Sequence, residues 1–163
     1  MCCFKNAAWF KIKKRKPGND RLEAFKNKLL SDDQFKDGKV TRLSEMGNKL
    51  SKVLERFIEP YQHLATTLNE HKKLITVAAL AWNVSLLPAG ERERMLNDAF
   101  KASMPSAEDK AAEDFNAMIS EFIERKESLF SDDSRFIISY ELEETENGYH
   151  LSVASTQLST PDE

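Results

Sequence analysis

Residues 40–82, VTRLSEMGNKLSKVLERFIEPYQHLATTLNEHKKLITVAALAW, carry the pattern that decides the fold. Core-type side chains recur at alternating steps of three and four residues, with Gly47 and His71 as the only departures. The stripe runs through Val40, Leu43, Gly47, Leu50, Leu54, Phe57, Tyr61, Leu64, Leu68, His71, Ile75, Ala78 and Trp82. This spacing keeps one side of a helix facing a packing partner. The sequence therefore predicts a mainly α-helical bundle built on a long, coiled-coil-like helix.

Pro60 lies inside this periodic stretch. It has no N–H to donate to the carbonyl of Arg56, and its ring crowds that turn. The helix either continues through a kink over residues 41–86 or divides into 41–59 and 61–86. Because the stripe keeps its phase across Pro60, the continuous kinked helix is the favoured prediction.

Three further helices are predicted around this segment. Asp20 can cap the first, with Glu23 as its reciprocal partner, and the second covers residues 91–104. Ser106 caps the third, with Asp109 at the third position of a capping box. The apolar stripe of the third helix is Ala112, Phe115, Ile119, Phe122 and Leu129, interrupted by Lys126.

The predicted core contains residues from two apolar stripes, that of residues 40–82 and that of the third helix. Trp82 lies in a stretch that is apolar on all sides, so its ring is expected to be buried against the third helix, at Phe115, Ile119 or Phe122. On the long segment, the side chains expected to be largely buried are Leu54, Phe57, Leu64 and Leu68.

The C-terminal region changes its period from helical to alternating, and residues 135–156 predict a two-stranded β-hairpin. Asn147-Gly148 is a strong hairpin signal. A two-residue turn at these positions would pair Leu142 with Val153, whereas a four-residue loop would pair Leu142 with Leu151; both keep the apolar residues on one face. The alternating apolar residues are Phe136, Ile138, Tyr140, Leu142, Tyr149, Leu151 and Val153.

The chain of 163 residues predicts a single domain, because 40% hydrophobic residues suffice for one core. We place a basic arm at residues 1–18, the helical domain with its hairpin at 19–156, and a disordered tail at 157–163. Six of the 24 basic residues lie in the first 16 positions, which contain no acid. The remainder has 27 acidic residues, so an acidic body carries a basic arm.

Motifs for catalysis, cofactors or metals are not found in the sequence. The five glycines are isolated, which excludes a phosphate-binding loop, and there is no nucleophile elbow. His63 is seven and eight residues from Glu70 and His71, about two helical turns, which is too far for one ion. We therefore expect no catalytic, cofactor-binding or metal-ligating residue, and His71 is interpreted as a core position that sets helix register.

The basic arm is the one segment with a signature of binding. Five of its six basic residues follow Trp9 and Phe10, and they could contact the phosphates of a nucleic acid or of an anionic membrane. Cys2 and Cys3 are candidate sites of lipidation, since an acyl chain and a polybasic patch together anchor a protein. The candidate polyanion contacts are Lys11, Lys13, Lys14, Arg15 and Lys16.

Taken together, these features predict a non-catalytic, soluble interaction or regulatory protein that binds another protein or itself, with no small-molecule substrate. The alternative is peripheral binding of a membrane or a nucleic acid through the arm. Two adjacent cysteines offer no disulfide framework, which favours a cytoplasmic, or membrane-peripheral, location.

Overall fold

The structure is a computed structural model that describes residues 17–33, 49–103 and 109–157. The chain divides into two compact units, residues 1–41 and 42–163. In the first, α1 spans Pro17–Ser31, and Phe25 and Leu29, four residues apart, are buried. The expected cap at Asp20 is wrong, because the helix begins three residues earlier at Pro17. Proline suits that first position, since its fixed φ is helical and its missing N–H is not needed there.

The described residues of the second unit are mainly helical and end in a hairpin, which confirms the mainly α fold class with a C-terminal two-stranded β-hairpin. A 3-10 helix, Glu59–Leu64, follows the first of its helices. The α-helices and strands are α2 (Leu50–Ile58), α3 (Leu68–Ser85), α4 (Ala89–Ser103), α5 (Asp109–Leu129), β1 (Arg135–Thr145) and β2 (Gly148–Gln157).

The favoured prediction of one continuous helix through Pro60 is wrong. α2 ends at Ile58, and α3 begins only at Leu68. The carbonyl of Arg56, which Pro60 cannot reach with an N–H, accepts a hydrogen bond from Nη2 of Arg125 at 3.1 Å. Nε of the same arginine donates to the carbonyl of Phe57 at 2.9 Å. A side chain of α5 thus satisfies the end of α2. The segment divides near Pro60, but the later helix begins at Leu68 rather than at residue 61, because the 3-10 helix Glu59–Leu64 lies between the two.

A capping box starts α3 anew. The Oγ1 of Thr67 accepts a hydrogen bond from the backbone N–H of Glu70 at 3.2 Å. In return, Oε2 of Glu70 accepts from the N–H groups of Thr66 and Thr67, at 2.8 and 3.0 Å. These bonds satisfy donors that a continuous helix would have paired with carbonyls one turn earlier.

Replacing Glu70 with Gln is expected to destabilise the protein in a pH-dependent way. Hydrogen bonds from Thr66 and Thr67 lower the pKa of Glu70 from 4.5 to about 2. Because the folded pKa lies below the unfolded one, the carboxylate stabilises the protein above about pH 4.5, and this contribution is lost as the pH falls toward 2. Urea-unfolding midpoints of wild type and Glu70→Gln should therefore differ most near neutral pH and converge in acid. A difference independent of pH, or an equal effect of Glu113→Gln at an exposed position of α5, would contradict this origin.

The core is centred on an aromatic cluster, with Phe57, Trp82 and Phe122 fully buried. The ring of Phe57 lies 5.4 Å from that of Trp82 and 5.2 Å from that of Phe122. The predicted burial of Trp82 is confirmed, but the ring that it meets at the end of α5 is Phe130, at 5.8 Å. Two turns of helix separate Trp82 and Ile75, which is also buried, so α3 contributes to the core along its length.

Two residues of the predicted apolar stripes face solvent instead. Leu64 is 57% exposed, because it ends a 3-10 helix, whose three residues per turn shift the phase of the stripe. Leu129 is 59% exposed, whereas Lys126 on the same helix is buried. Nζ of Lys126 donates to the carbonyl of Phe130 at 2.7 Å and lies 4.7 Å from the ring centroid of Trp82. Burial lowers the pKa of this lysine.

The hairpin adopts the pairing of Leu142 with Leu151, which is one of the two expected registers. Thr145 pairs with Gly148, so the turn residues are Glu146 and Asn147 rather than Asn147 and Gly148. Gly148 has a φ of 130°, a backbone conformation that favours glycine.

A β-bulge in β1 changes the face on which the apolar residues lie. Ile137 is opposite Ser155 and Ser139 is opposite Ala154, so Ile138 is the extra residue. An inserted residue reverses the alternation of side chains between the two faces of a strand. Ile137 is consequently buried, whereas Phe136 and Ile138, which were expected on the core face, are only half-buried.

Candidate protein-interaction surface

Two adjacent residues of α3 hold the start of β1. Nε1 of Trp82 donates to the carbonyl of Arg135 at 2.8 Å. The amide of Asn83 donates to the carbonyl of Ile137 and accepts from its N–H, both at 2.8 Å. The buried amide of Asn83 thus replaces the pairing that a neighbouring strand would provide.

The first half of α3 contacts the hairpin nearer its turn. The hydroxyl of Tyr140 donates to the carbonyl of Lys72 at 3.0 Å and hydrogen-bonds with Oγ1 of Thr76. The ring of His71 lies 4.4 Å from that of Tyr149. His71 is half-buried, as its position on the apolar stripe suggests, and its Nδ1 lies 3.0 Å from the carbonyl of Thr67. The helix therefore holds the hairpin at both ends.

The apolar face of the hairpin packs on the helices of its own chain. Ile137, Leu142 and Leu151 are buried in the same core as the aromatic cluster. An isolated two-stranded hairpin is marginal in water, so this packing is what stabilises the two strands. With one face committed to the core, the strand edges are the backbone surfaces left to consider.

The two edges of the hairpin differ in what covers them. Trp82 and Asn83 occupy the outer edge of β1 at Arg135 and Ile137. From Gly148 to Ser155, no other strand and no side chain in the described part of the chain hydrogen-bonds to the outer edge of β2. Every second residue of an edge strand directs its N–H and C=O away from its neighbour. The outer edge of β2, which we define as residues 148–155, therefore presents a row of backbone donors and acceptors.

The two strands also differ in charge. β2, GYHLSVASTQ, contains no aspartate, glutamate, lysine, arginine or proline, whereas β1 contains Glu141, Glu143 and Glu144. Charged side chains and proline are the residues by which natural edge strands avoid pairing with other chains. Ten residues is also long for an edge strand. The outer edge of β2 thus has the chemistry of a surface that accepts a further strand.

The surface also has a cleft, which is less suited to a ligand than the edge of β2. A cleft of about 450 Å³ lies at the turn between α5 and β1. Two of its lining residues neutralise each other, since Nε of Arg135 donates to Oδ1 of Asp133 at 2.8 Å. Arg56 and Asp132 also line it, so its charged groups balance, and it offers no field of one sign.

The candidate residues of the arm, namely Cys2, Cys3 and the basic positions from Lys11 to Lys16, lie outside the described residues. Two of the residues considered for a metal have other surroundings. His63 is exposed on the 3-10 helix, and the side chain of Glu70 is held in the capping box. Within residues 17–33, 49–103 and 109–157, no group of three histidine, cysteine or acidic residues could hold a metal ion. Across those same residues, none of the helices has the length and apolar character needed to cross a membrane.

Comparisons of the chain with protein-family models, with curated proteins and with solved structures found no match.

Sequence reasoning missed the residues that attach the hairpin. Asn83 interrupts an otherwise apolar run, and a polar residue at such a place must find partners. The sequence therefore indicated that Asn83 needs hydrogen-bond partners. It did not identify the backbone of Ile137 as that partner, because this depends on a bulge that the alternation of side chains in β1 does not reveal.

Proposed function

We propose that the protein is a non-catalytic interaction protein that binds an extended segment of another protein chain along the outer edge of β2. The observation that carries the proposal is a ten-residue edge strand without charge or proline, fixed to a helical core. Backbone hydrogen bonds along such an edge give affinity, and alternate side chains give specificity.

The attachment of the hairpin supports this function. Asn83 and Tyr140 link the strands to α3 through hydrogen bonds at separate points. A strand held in its binding conformation loses little conformational entropy when a partner adds to it. The helices then serve as a rigid support, and the edge of the hairpin serves as the binding element.

Ser152 offers a position at which to test the edge. It lies near the middle of β2 and is opposite Glu141, so a lysine there would meet a carboxylate within the hairpin. The same lysine would place a charge along the edge, as natural edge strands do. We expect proteins captured by the wild type from a cell extract to be lost with Ser152→Lys and retained with the uncharged control Ser152→Thr. Capture that is unchanged in Ser152→Lys, with its melting temperature preserved, would argue against the edge as the binding surface.

A second candidate function, binding of a polyanion by the arm, is favoured by the charge distribution alone. Residues 1–16 carry six basic side chains and no acid, whereas the rest of the chain has 18 basic and 27 acidic residues. Such binding weakens steeply with salt, whereas strand pairing on a protein does not. Repeating the capture at higher salt therefore separates the two functions.

Replacing the arm cations Lys11, Lys13, Lys14, Arg15 and Lys16 with alanine is expected to leave the melting temperature nearly unchanged, because exposed ion pairs contribute only about 0–1 kcal/mol each. The same change should abolish binding to anionic vesicles or to nucleic acid at low salt, as measured by co-sedimentation and by fluorescence anisotropy. If the wild type binds neither below about 50 mM salt, where such contacts are strongest, the arm has no such role.

A further inference from the structure

We propose that the chain that adds to β2 is a second copy of this protein, so that two hairpins form one four-stranded sheet around a twofold axis. This inference rests on the proposed function, because it names the partner of the same edge. It is drawn from the charge, the length and the side-chain alternation of β2.

Charge makes the two β2 strands compatible with each other. Because β2 has no acidic or basic residue other than His150, two copies side by side bring together no pair of permanently charged side chains. A copy that approached with β1 instead would present Glu141, Glu143 and Glu144. Both copies carry a net negative charge, so the edge that brings no acidic side chain into the contact gives the less repulsive approach.

The geometry of β2 permits a closed, symmetric pair. An antiparallel pairing centred on Ser152 places residues 149–155 of the two copies side by side. Residues of equal parity are then opposite each other, so Leu151 of one copy is opposite Val153 of the other. Leu151 is buried on the helix side of the hairpin, and this pairing keeps that side the same in both copies. A twofold contact of this kind closes on itself and does not propagate into fibres.

The pairing also satisfies backbone groups at the edge of the hairpin. Packing on the helices already stabilises the two strands in the described part of the chain, and a second hairpin adds backbone hydrogen bonds along the outer edge of β2. A second hairpin extends the sheet to four strands and covers an edge that carries none of the usual protective residues.

Sedimentation over a range of concentrations tests the pairing. The wild type is expected to approach twice the 18.7 kDa mass of the chain as concentration rises. Ser152→Lys and Ser152→Glu should each raise the dissociation constant by about fivefold, because like charges become directly opposite across the axis. An equimolar mixture of the two variants should associate more tightly than either alone, since the opposed charges now attract. A misfolded variant would not recover its association on mixing, so the mixture separates a charge effect from loss of structure.

Hydrogen exchange locates the contact, and each result bears on the proposal. Slower exchange of the β2 amides with rising concentration is expected. A wild type that stays monomeric up to roughly 1 mM, the weak end of measurable affinities, overturns self-pairing. If the edge of that monomer still captures another protein, and Ser152→Lys abolishes the capture, the proposed function stands with a different partner. A dimer that neither charged variant weakens overturns the pairing through β2.

Discussion

Phe57→Ala is expected to lower the free energy of unfolding by about 3–5 kcal/mol, as for other large-to-small changes at buried aromatic residues. Phe57 is fully buried, and its ring lies within 6 Å of those of Trp82, Phe122 and Phe130. Removal of the ring therefore costs transfer free energy and leaves a cavity between α2, α3 and the end of α5. Urea denaturation followed by circular dichroism measures the loss.

Leu64→Ala is the matched control on the same apolar stripe. The sequence periodicity places Leu64 in the core with Phe57, but its side chain is 57% exposed. Its truncation should change the free energy of unfolding by no more than about 0.5 kcal/mol, as is usual for surface positions. Comparable losses for the two variants would contradict the division of the long helix at Pro60, because they would place both residues in the core.

The helical elements were readable because their signals are local. Apolar residues of α3 and α5 recur at helical spacing. Apolar and polar residues alternate along β1 and β2, and this alternation together with Asn147-Gly148 predicts a hairpin. The break at Pro60 was visible as one of two alternatives. The sequence Thr67-Leu-Asn-Glu70 has the spacing of a capping box and would have favoured the division.

Interactions between distant residues were the part that the sequence did not reveal. Arg125 satisfies the carbonyl that Pro60 leaves without a donor, although 69 residues separate the arginine from Arg56. Lys126 is buried because the carbonyl of Phe130 and the ring of Trp82 receive its ammonium group. Periodicity ranks residues by their side of a helix, whereas these partners depend on how the helices meet. The same holds for the candidate surface. The sequence shows that β2 lacks charge, but not that its outer edge pairs with no strand in the described part of the chain.

Asn83→Ala is expected to lower the free energy of unfolding by about 2–6 kcal/mol. The change leaves the N–H and the C=O of Ile137 without partners, and each buried unsatisfied polar group costs about 1–3 kcal/mol. Asn69→Ala, at an exposed position of the same helix, controls for the loss of an asparagine and should have a small effect. Urea denaturation gives the free energies, and exchange of the Ile137 amide reports on the bond itself.

The location of the damage distinguishes this role from general packing. Because Asn83 bonds to β1 and Phe57 packs among rings, Asn83→Ala should speed amide exchange in the hairpin before the helices unfold, whereas Phe57→Ala should act on the whole core. An Ile137 amide that stays protected in Asn83→Ala would show that the side chain does not hold the strand. If the exchange is faster, binding along β2 should weaken in the same variant, because a partner strand must then pay the entropy of ordering the hairpin. The hydrogen bonds between Asn83 and β1 would thereby affect how tightly the outer edge of β2 binds a partner, because both act on the same two strands.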